Sequence, residues 1–162
     1  MININILGDF KDYFYSIGYF GEFTTFIITS ALIFNQYVYY IFYIIMVLLS
    51  KLLNQILKKI LKDPRPNNPK KFLESEHFGG KNFGMPSGHA QFVFFTIVYN
   101  YLVINQFIPW TLLLLVIGFI TMYERYVYRN HTMNQLVVGA FVGGLLAYIT
   151  YSLATYTKNR LL

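Results

Sequence analysis

Long apolar runs alternate along this chain with short polar clusters. The run lengths fit a bilayer, whose core takes about 20 mostly apolar residues per helix. The first run, Tyr13 to Phe34, is interrupted by Glu22 and becomes strongly apolar from Phe23 onward. A polar "NQ" at 35–36 separates it from the second, Tyr37 to Leu57, which carries Lys51 near its end. Residues 62–85 are polar and hold Pro64, Pro66 and Pro69, which cannot continue a helix. Ser87 to about Phe107 is the third run; Pro109 then interrupts, with Trp110 where an interfacial aromatic belt would stand. Trp110 to Tyr123 is the fourth and ends in the charged stretch 124–135, "ERYVYRNHTMNQ". Leu136 to Tyr156 is the fifth, closed by "KNR".

This pattern predicts an all-α integral membrane helical bundle of about five transmembrane helices, forming a single domain over residues 1–162. Alternate crossings put the breaks at 35–36 and 105–109 on one side of the membrane. Segments 58–88 and 124–135 then share the other, so an active site is expected at that one membrane face. The positive-inside rule would turn this face to the cytoplasm, because Lys58, Lys59, Lys62, Arg65, Lys70, Lys71 and Lys81 lie there. Cations placed to hold a substrate would give the same signal. In the fifth run Gly139 with Gly143, and Ala140 with Gly144, form small-xxx-small pairs that let helices approach closely in lipid.

Composition agrees with a bilayer as solvent. The chain is 56% hydrophobic and 12% charged, where a soluble domain would be about a quarter charged; its mean hydropathy is +0.44. The net charge of +6 does not indicate nucleic acid, since the cations gather in two polar segments rather than along a helix face or tail. With no cysteine, disulfides and thiolate metal sites are excluded. The N-terminal "MININILGDFKDYF" lacks the basic region and cleavage site of a signal peptide, so none is expected.

Three polar clusters carry candidate chemistry. "KKILKDPRP" places Lys58 and Arg65 two turns apart on one face if the helix runs on to Asp63. Prolines on both sides of Arg65 fix the backbone where a guanidinium fork could hold a phosphate. "GMPSGHAQF" sets Ser87 and Gly88 at a helix start, where backbone N–H groups lack partners and favour an anion, with His89 one residue on. In the third cluster Arg125 and His131 flank a turn, and Gln135 lies four residues beyond His131, within hydrogen-bonding reach on a helix start. Each cluster has an ordinary explanation by itself: a snorkelling basic helix end, a helix cap, an interfacial histidine. Together they offer cations and amide N–H groups suited to a phosphoryl transition state, and two histidines to divide nucleophile from general acid.

Lys58-x6-Arg65-Pro66, Pro86-Ser87-Gly88-His89 and Arg125-x5-His131 resemble the three-part signature of the type 2 phosphatidic acid phosphatase superfamily of membrane lipid phosphatases, over about residues 50–150. The resemblance implies that Lys58, Arg65 and Arg125 grip phosphate, with the backbone at Ser87 and Gly88 completing the cradle. It further implies that His131 attacks phosphorus to form a phosphohistidine, that His89 protonates the leaving oxygen, and that no metal or other cofactor takes part. The family commonly has Ser where this chain has Glu124, and Asp where it has Gln135. A carboxylate at the latter position orients the imidazole and stabilises its cation, whereas glutamine can orient but supplies no charge. Glu124 is one candidate for that missing charge. The three motifs, including His-Thr-x-x-Gln, are most similar to the dolichyl-diphosphatase branch. That implies a polyprenyl diphosphate as substrate, hydrolysed to the monophosphate and inorganic phosphate in an endoplasmic-reticulum-type membrane.

Other readings of the same residues remain open. A phosphatidate-type lipid monophosphate, transfer to an alcohol, or a catalytically weakened lipid-phosphate-binding membrane protein would use the same cradle. A zinc site of His77, His89 and His131 lacks helical ligand spacing. The sequon "NHT" at 130–132 overlaps the candidate nucleophile, so a glycan there would block it. Residues 62–85, with His77, Phe72, Phe78 and Phe83, could form a lid or rest on headgroups. Asn54 and Asn100, inside apolar runs, are expected to bridge helices by hydrogen bonds.

Overall fold

Stretches of apolar residues this long can satisfy their backbone only as helices when no water is at hand, and helices are what the chain forms. A computed structural model describes residues 6–72, 83–104 and 109–161. In order these are α1 (Ile6–Tyr19), α2 (Gly21–Ile33), α3 (Tyr37–Leu61), α4 (Gly88–Ile104), α5 (Pro109–Val127) and α6 (Met133–Leu161).

α3, α5 and α6 are each long and apolar enough to cross a membrane. The first expected span is instead a broken one, with the axis turning by 61° between Lys11–Tyr19 and Gly21–Ile33. The third, α4, is described over 17 residues and packs against α2, α3, α5 and α6. Against the expectation of about five spans, the described residues hold three helices long enough to cross, one bent pair that makes a fourth if it is a single span, and the shorter α4. Outward faces are apolar: Leu48 is 64% exposed and Phe141 72%. Water would reject such surfaces and lipid does not. The chain is a multi-pass membrane protein.

α4 and α6 make the closest contact. A Cβ at Gly143 would lie 2.2 Å from the Gln91 carbonyl oxygen, and one at Gly139 would lie 2.5 Å from that of Ser87. Helix backbone thus meets helix backbone, and only glycine fits. At Gly144 the nearest atom would be 3.9 Å away, so of the two small-residue pairs the one at 139 and 143 sets the contact. Behind it, Tyr43 stacks on Phe95 and Tyr99 with ring centroids 5.7 and 5.6 Å apart, and the Tyr99 hydroxyl donates to the Tyr39 carbonyl at 2.7 Å.

Two ends differ from the sequence pattern. Pro109 begins α5 one residue ahead of the expected start, at the first-turn position where its missing N–H costs nothing. α5 also runs on through Glu124 and Arg125 to Val127, because those two charges pair with each other inside the bundle. Gly143→Ala is expected to destabilise the bundle by about 1–3 kcal/mol, as overpacking does. Gly144→Ala should stay within about 0.5 kcal/mol of wild type. Unfolding midpoints of the two variants in the same detergent check this; equal midpoints would contradict the backbone contact.

Candidate active site

α3 delivers the first cluster. One face of it, Tyr39, Tyr43, Ser50, Asn54 and Lys58, points inward and grows polar toward the helix end, where Lys58 is buried. The helix does not run on to Asp63. Lys62 adopts the left-handed conformation (φ 49°) and its N–H closes on the Lys58 carbonyl at 3.1 Å. Lys58 and Arg65 therefore do not share a helix face, as the spacing alone suggested; Arg65 comes round in a loop fixed by Pro64 and Pro66. Gly84 N–H donates to the Asp63 carbonyl at 2.7 Å and Lys70 N–H to that of Tyr128 at 2.7 Å, which pins this loop to both of its neighbours. Arg65 Nη1 then donates to the Asn130 carbonyl at 3.0 Å and stands 3.5 Å from His131 Nε2.

The second cluster is tied down by amides. Ser87 Oγ accepts from Ala90 N–H at 3.4 Å, the bond of an N-cap serine. Asn54 Nδ2 donates to the Pro86 carbonyl (3.2 Å) and to Gln91 Oε1 (2.8 Å), and Gln91 Nε2 donates to the Ser50 hydroxyl (2.8 Å) and carbonyl (3.0 Å). Asn54 thus bridges helices as expected. Asn100 does not: its buried amide has no hydrogen-bond partner among the described residues. The Ser87 N–H is donated to the Gln135 carbonyl at 3.0 Å, so it serves α4–α6 packing, and Gly88 follows it as the half-buried first residue of α4. His89 Nδ1 lies 3.8 Å from Glu22 Oε1. Glu22, which reads in sequence as a flaw in the first apolar run, is placed there by the bend between α1 and α2.

The third cluster holds a buried ion pair. Glu124 Oε1 accepts from Arg125 Nη2 at 3.0 Å and Oε2 from Arg125 Nε, while the Tyr19 ring lies 5.2 Å from the guanidinium carbon. Glu124 is therefore the partner of Arg125 and does not supply the charge missing beside His131. Asn130 is buried, which leaves the sequon asparagine out of reach of a glycan. Its side-chain amide has no hydrogen-bond partner among the described residues.

Gln135 is fully buried and joins everything else. Its Oε1 accepts from Thr132 N–H at 3.2 Å and lies 3.2 Å from His131 Nδ1; its Nε2 donates to the Pro64 carbonyl at 2.7 Å and to Asp63 Oδ2. In return Thr132 Oγ1 accepts from Gln135 N–H at 3.3 Å, completing a capping box at the start of α6. Turning the amide over would set Nε2 against an N–H and Oε1 against two acceptors, so the network fixes its orientation. Because Oε1 only accepts, His131 must carry its proton on Nδ1, which leaves the Nε2 lone pair facing Arg65. Burial, followed by the charges of Arg65, His89 and Lys58, holds the His131 imidazolium well below its usual range, while the Gln135 bond opposes them. A cavity of about 720 Å³ opens beside His131 between Pro66, Asn67, Tyr126, Arg129 and Asn134.

The three clusters expected from the sequence thus meet around Arg65, His89 and His131. Asp63, Glu22 and Thr132 were missed as contributors to the site; only Thr132 left a local signal, the Thr-x-x-Gln of a capping box. No three His, Cys, Asp or Glu side chains gather as metal ligands among the described residues, and His77 lies outside them. So do Phe78 and most of the segment considered as a lid. Phe72 is described, and stacks on Tyr19 with centroids 4.8 Å apart.

Known proteins match this chain over part of their length. The chain is 30% identical over 115 residues to human dolichyldiphosphatase 1, covering 61% of this chain and 46% of that protein. It is 29% identical over 109 residues to dolichyldiphosphatase of Saccharomyces cerevisiae, covering 60% and 44%. Against dolichyldiphosphatase 1 of Dictyostelium discoideum it is 29% identical over 119 residues, covering 67% and 49%. The chain spans about half the length of the curated relatives it matches. No solved structure matches it. The PAP2 superfamily profile matches residues 37–159, which include all three clusters, and the chain belongs to the PAP2 superfamily.

Proposed function

We propose that the protein is a metal-independent lipid phosphatase that hydrolyses a polyprenyl (dolichyl-type) diphosphate to the monophosphate and inorganic phosphate. The observation that carries this reading is the Nδ1–Gln135 contact at 3.2 Å, which leaves His131 Nε2 as a lone pair 3.5 Å from Arg65. That is the form a histidine nucleophile needs in front of a phosphate. The dolichyldiphosphatase relatives support the substrate, and an endoplasmic-reticulum-type membrane belongs to the same proposal.

In this reading Lys58, Arg65 and Arg125, with the first amides of α4 at Gly88, hold the terminal phosphate at the membrane face. Nε2 of His131 forms a bond to the terminal phosphorus as the bond to the bridging oxygen breaks. His89 gives its proton to that oxygen, and the lipid monophosphate leaves. Water then attacks the phosphohistidine, returning a proton to His89 and releasing inorganic phosphate. Glu22 Oε1 stands 3.8 Å from His89 Nδ1, and the positive charge that builds on His131 is shared with Gln135 Oε1.

Detergent-purified protein should release phosphate from a polyprenyl diphosphate in EDTA, and His131→Ala should reduce turnover by at least about 10³-fold. Release from phosphatidate but not the diphosphate would move the substrate to a lipid monophosphate. No release from either lipid, with binding retained, would contradict an enzyme.

The buried position of His131 also sets a pH dependence. Its imidazolium is disfavoured in the free protein, so the neutral nucleophile persists below the ordinary imidazole value of 6.5. The acid limb of kcat/KM due to this group should therefore fall below pH 6.5. A limb at or above that value, in a substrate range where lipid ionisation is constant, would contradict the assignment.

A further inference from the structure

We infer that Asp63 is the positioning carboxylate of His131, acting through the Gln135 amide. The inference deepens the phosphatase reading and rests on it. The chain of bonds runs from His131 Nδ1–H to Gln135 Oε1, across the amide, and from Gln135 Nε2–H to Asp63 Oδ2. An amide that donates to a carboxylate on one side is polarised into a better acceptor on the other. Charge developing on the imidazole during attack is thus met by a carboxylate one residue further out than usual. Gly84 presses the amide into this place, since a Cβ there would stand 2.2 Å from Gln135 Oε1.

The assignment of acids in the site leaves this role to Asp63. Arg65 Nη1 stands 3.5 Å from His131 Nε2, and Lys58 and His89 lie close enough to disfavour its imidazolium. Glu124 is bound to Arg125, and Glu22 faces His89. Of these three acids it is Asp63 whose hydrogen bonds lead to His131, and it reaches across 72 residues of sequence to do so. It also explains why glutamine stands at 135. A carboxylate there would face both the Asp63 carboxylate and the Pro64 carbonyl, with no donor to offer either.

Reciprocal exchange of the two groups tests the relay, using the full chain in detergent and a polyprenyl diphosphate. Asp63→Asn keeps an acceptor for Gln135 but removes the charge. It should lower kcat roughly 10- to 100-fold, leave KM and the unfolding midpoint near wild type, and move the acid limb of kcat/KM to lower pH. Gln135→Glu sets two carboxylates against each other and should also lose turnover. The double variant Asp63→Asn, Gln135→Glu puts a carboxylate directly on Nδ1, with the amide introduced in place of Asp63 donating to it. That variant should recover most of the wild-type kcat. A wild-type kcat and pH limb in Asp63→Asn would overturn the relay, as would a double variant no better than the product of the single losses. If Asp63→Asn does not accumulate in folded form, Gln135→Glu against the double variant decides alone: rescue supports the relay and absence of rescue overturns it. An inactive wild-type protein would remove the phosphatase reading itself, and the relay with it.

Discussion

A primary amide offers two donors and two acceptor positions, and inside a membrane protein every one left unmatched carries a penalty. Gln135 uses all four. Two bonds go to the start of its own helix and to His131, and two go to the loop that follows α3. Two segments far apart in sequence, the 63–64 loop and the start of α6, are thereby locked to a single side chain. Arg65 is carried to within 3.5 Å of His131 as a consequence, because Asp63 and Pro64, its near neighbours, are held by that amide. The His131 tautomer follows from the same constraint.

The helices supply the floor on which this can happen. Glycines at 139 and 143 let α6 lie directly on the backbone of α4. The Ser87 N–H is then close enough to bond the Gln135 carbonyl, so the PSGH segment and the His131 loop share one framework. Asn54 and Gln91 secure the same segment to α3. The proposed catalytic groups are thus held by further polar residues in an apolar surround, where hydrogen bonds are strong and misplaced ones costly. The acids are placed in the same manner, Glu124 on Arg125 and Glu22 beside His89.

Much of this was legible in the residues themselves. Run lengths pointed to the helices, and residue type with spacing pointed to Lys58, Arg65, Ser87, His89, Arg125 and His131 as one site. What escaped was set by partners distant in sequence. The break at Phe20 depends on α5, since a Cβ on Gly21 would meet Thr121 Oγ1 at 1.9 Å. The end of α3 falls at a left-handed lysine rather than a glycine, so no residue type announced it. Gln135 read as a lost carboxylate because its second hydrogen-bonding edge faces Asp63, on a loop that no local pattern connects to it. Glu124 looked available for the same reason, until its contact with Arg125 was visible.

The central claim is that Gln135 holds the Nδ1 edge of His131 and leaves Nε2 to react. Protein quenched in alkali during turnover of a diphosphate labelled in its terminal phosphate, then digested and mapped, tests this directly. The account predicts label on His131, bonded to Nε2. Label on Nδ1, on another residue, or on no residue while phosphate is being released would contradict it.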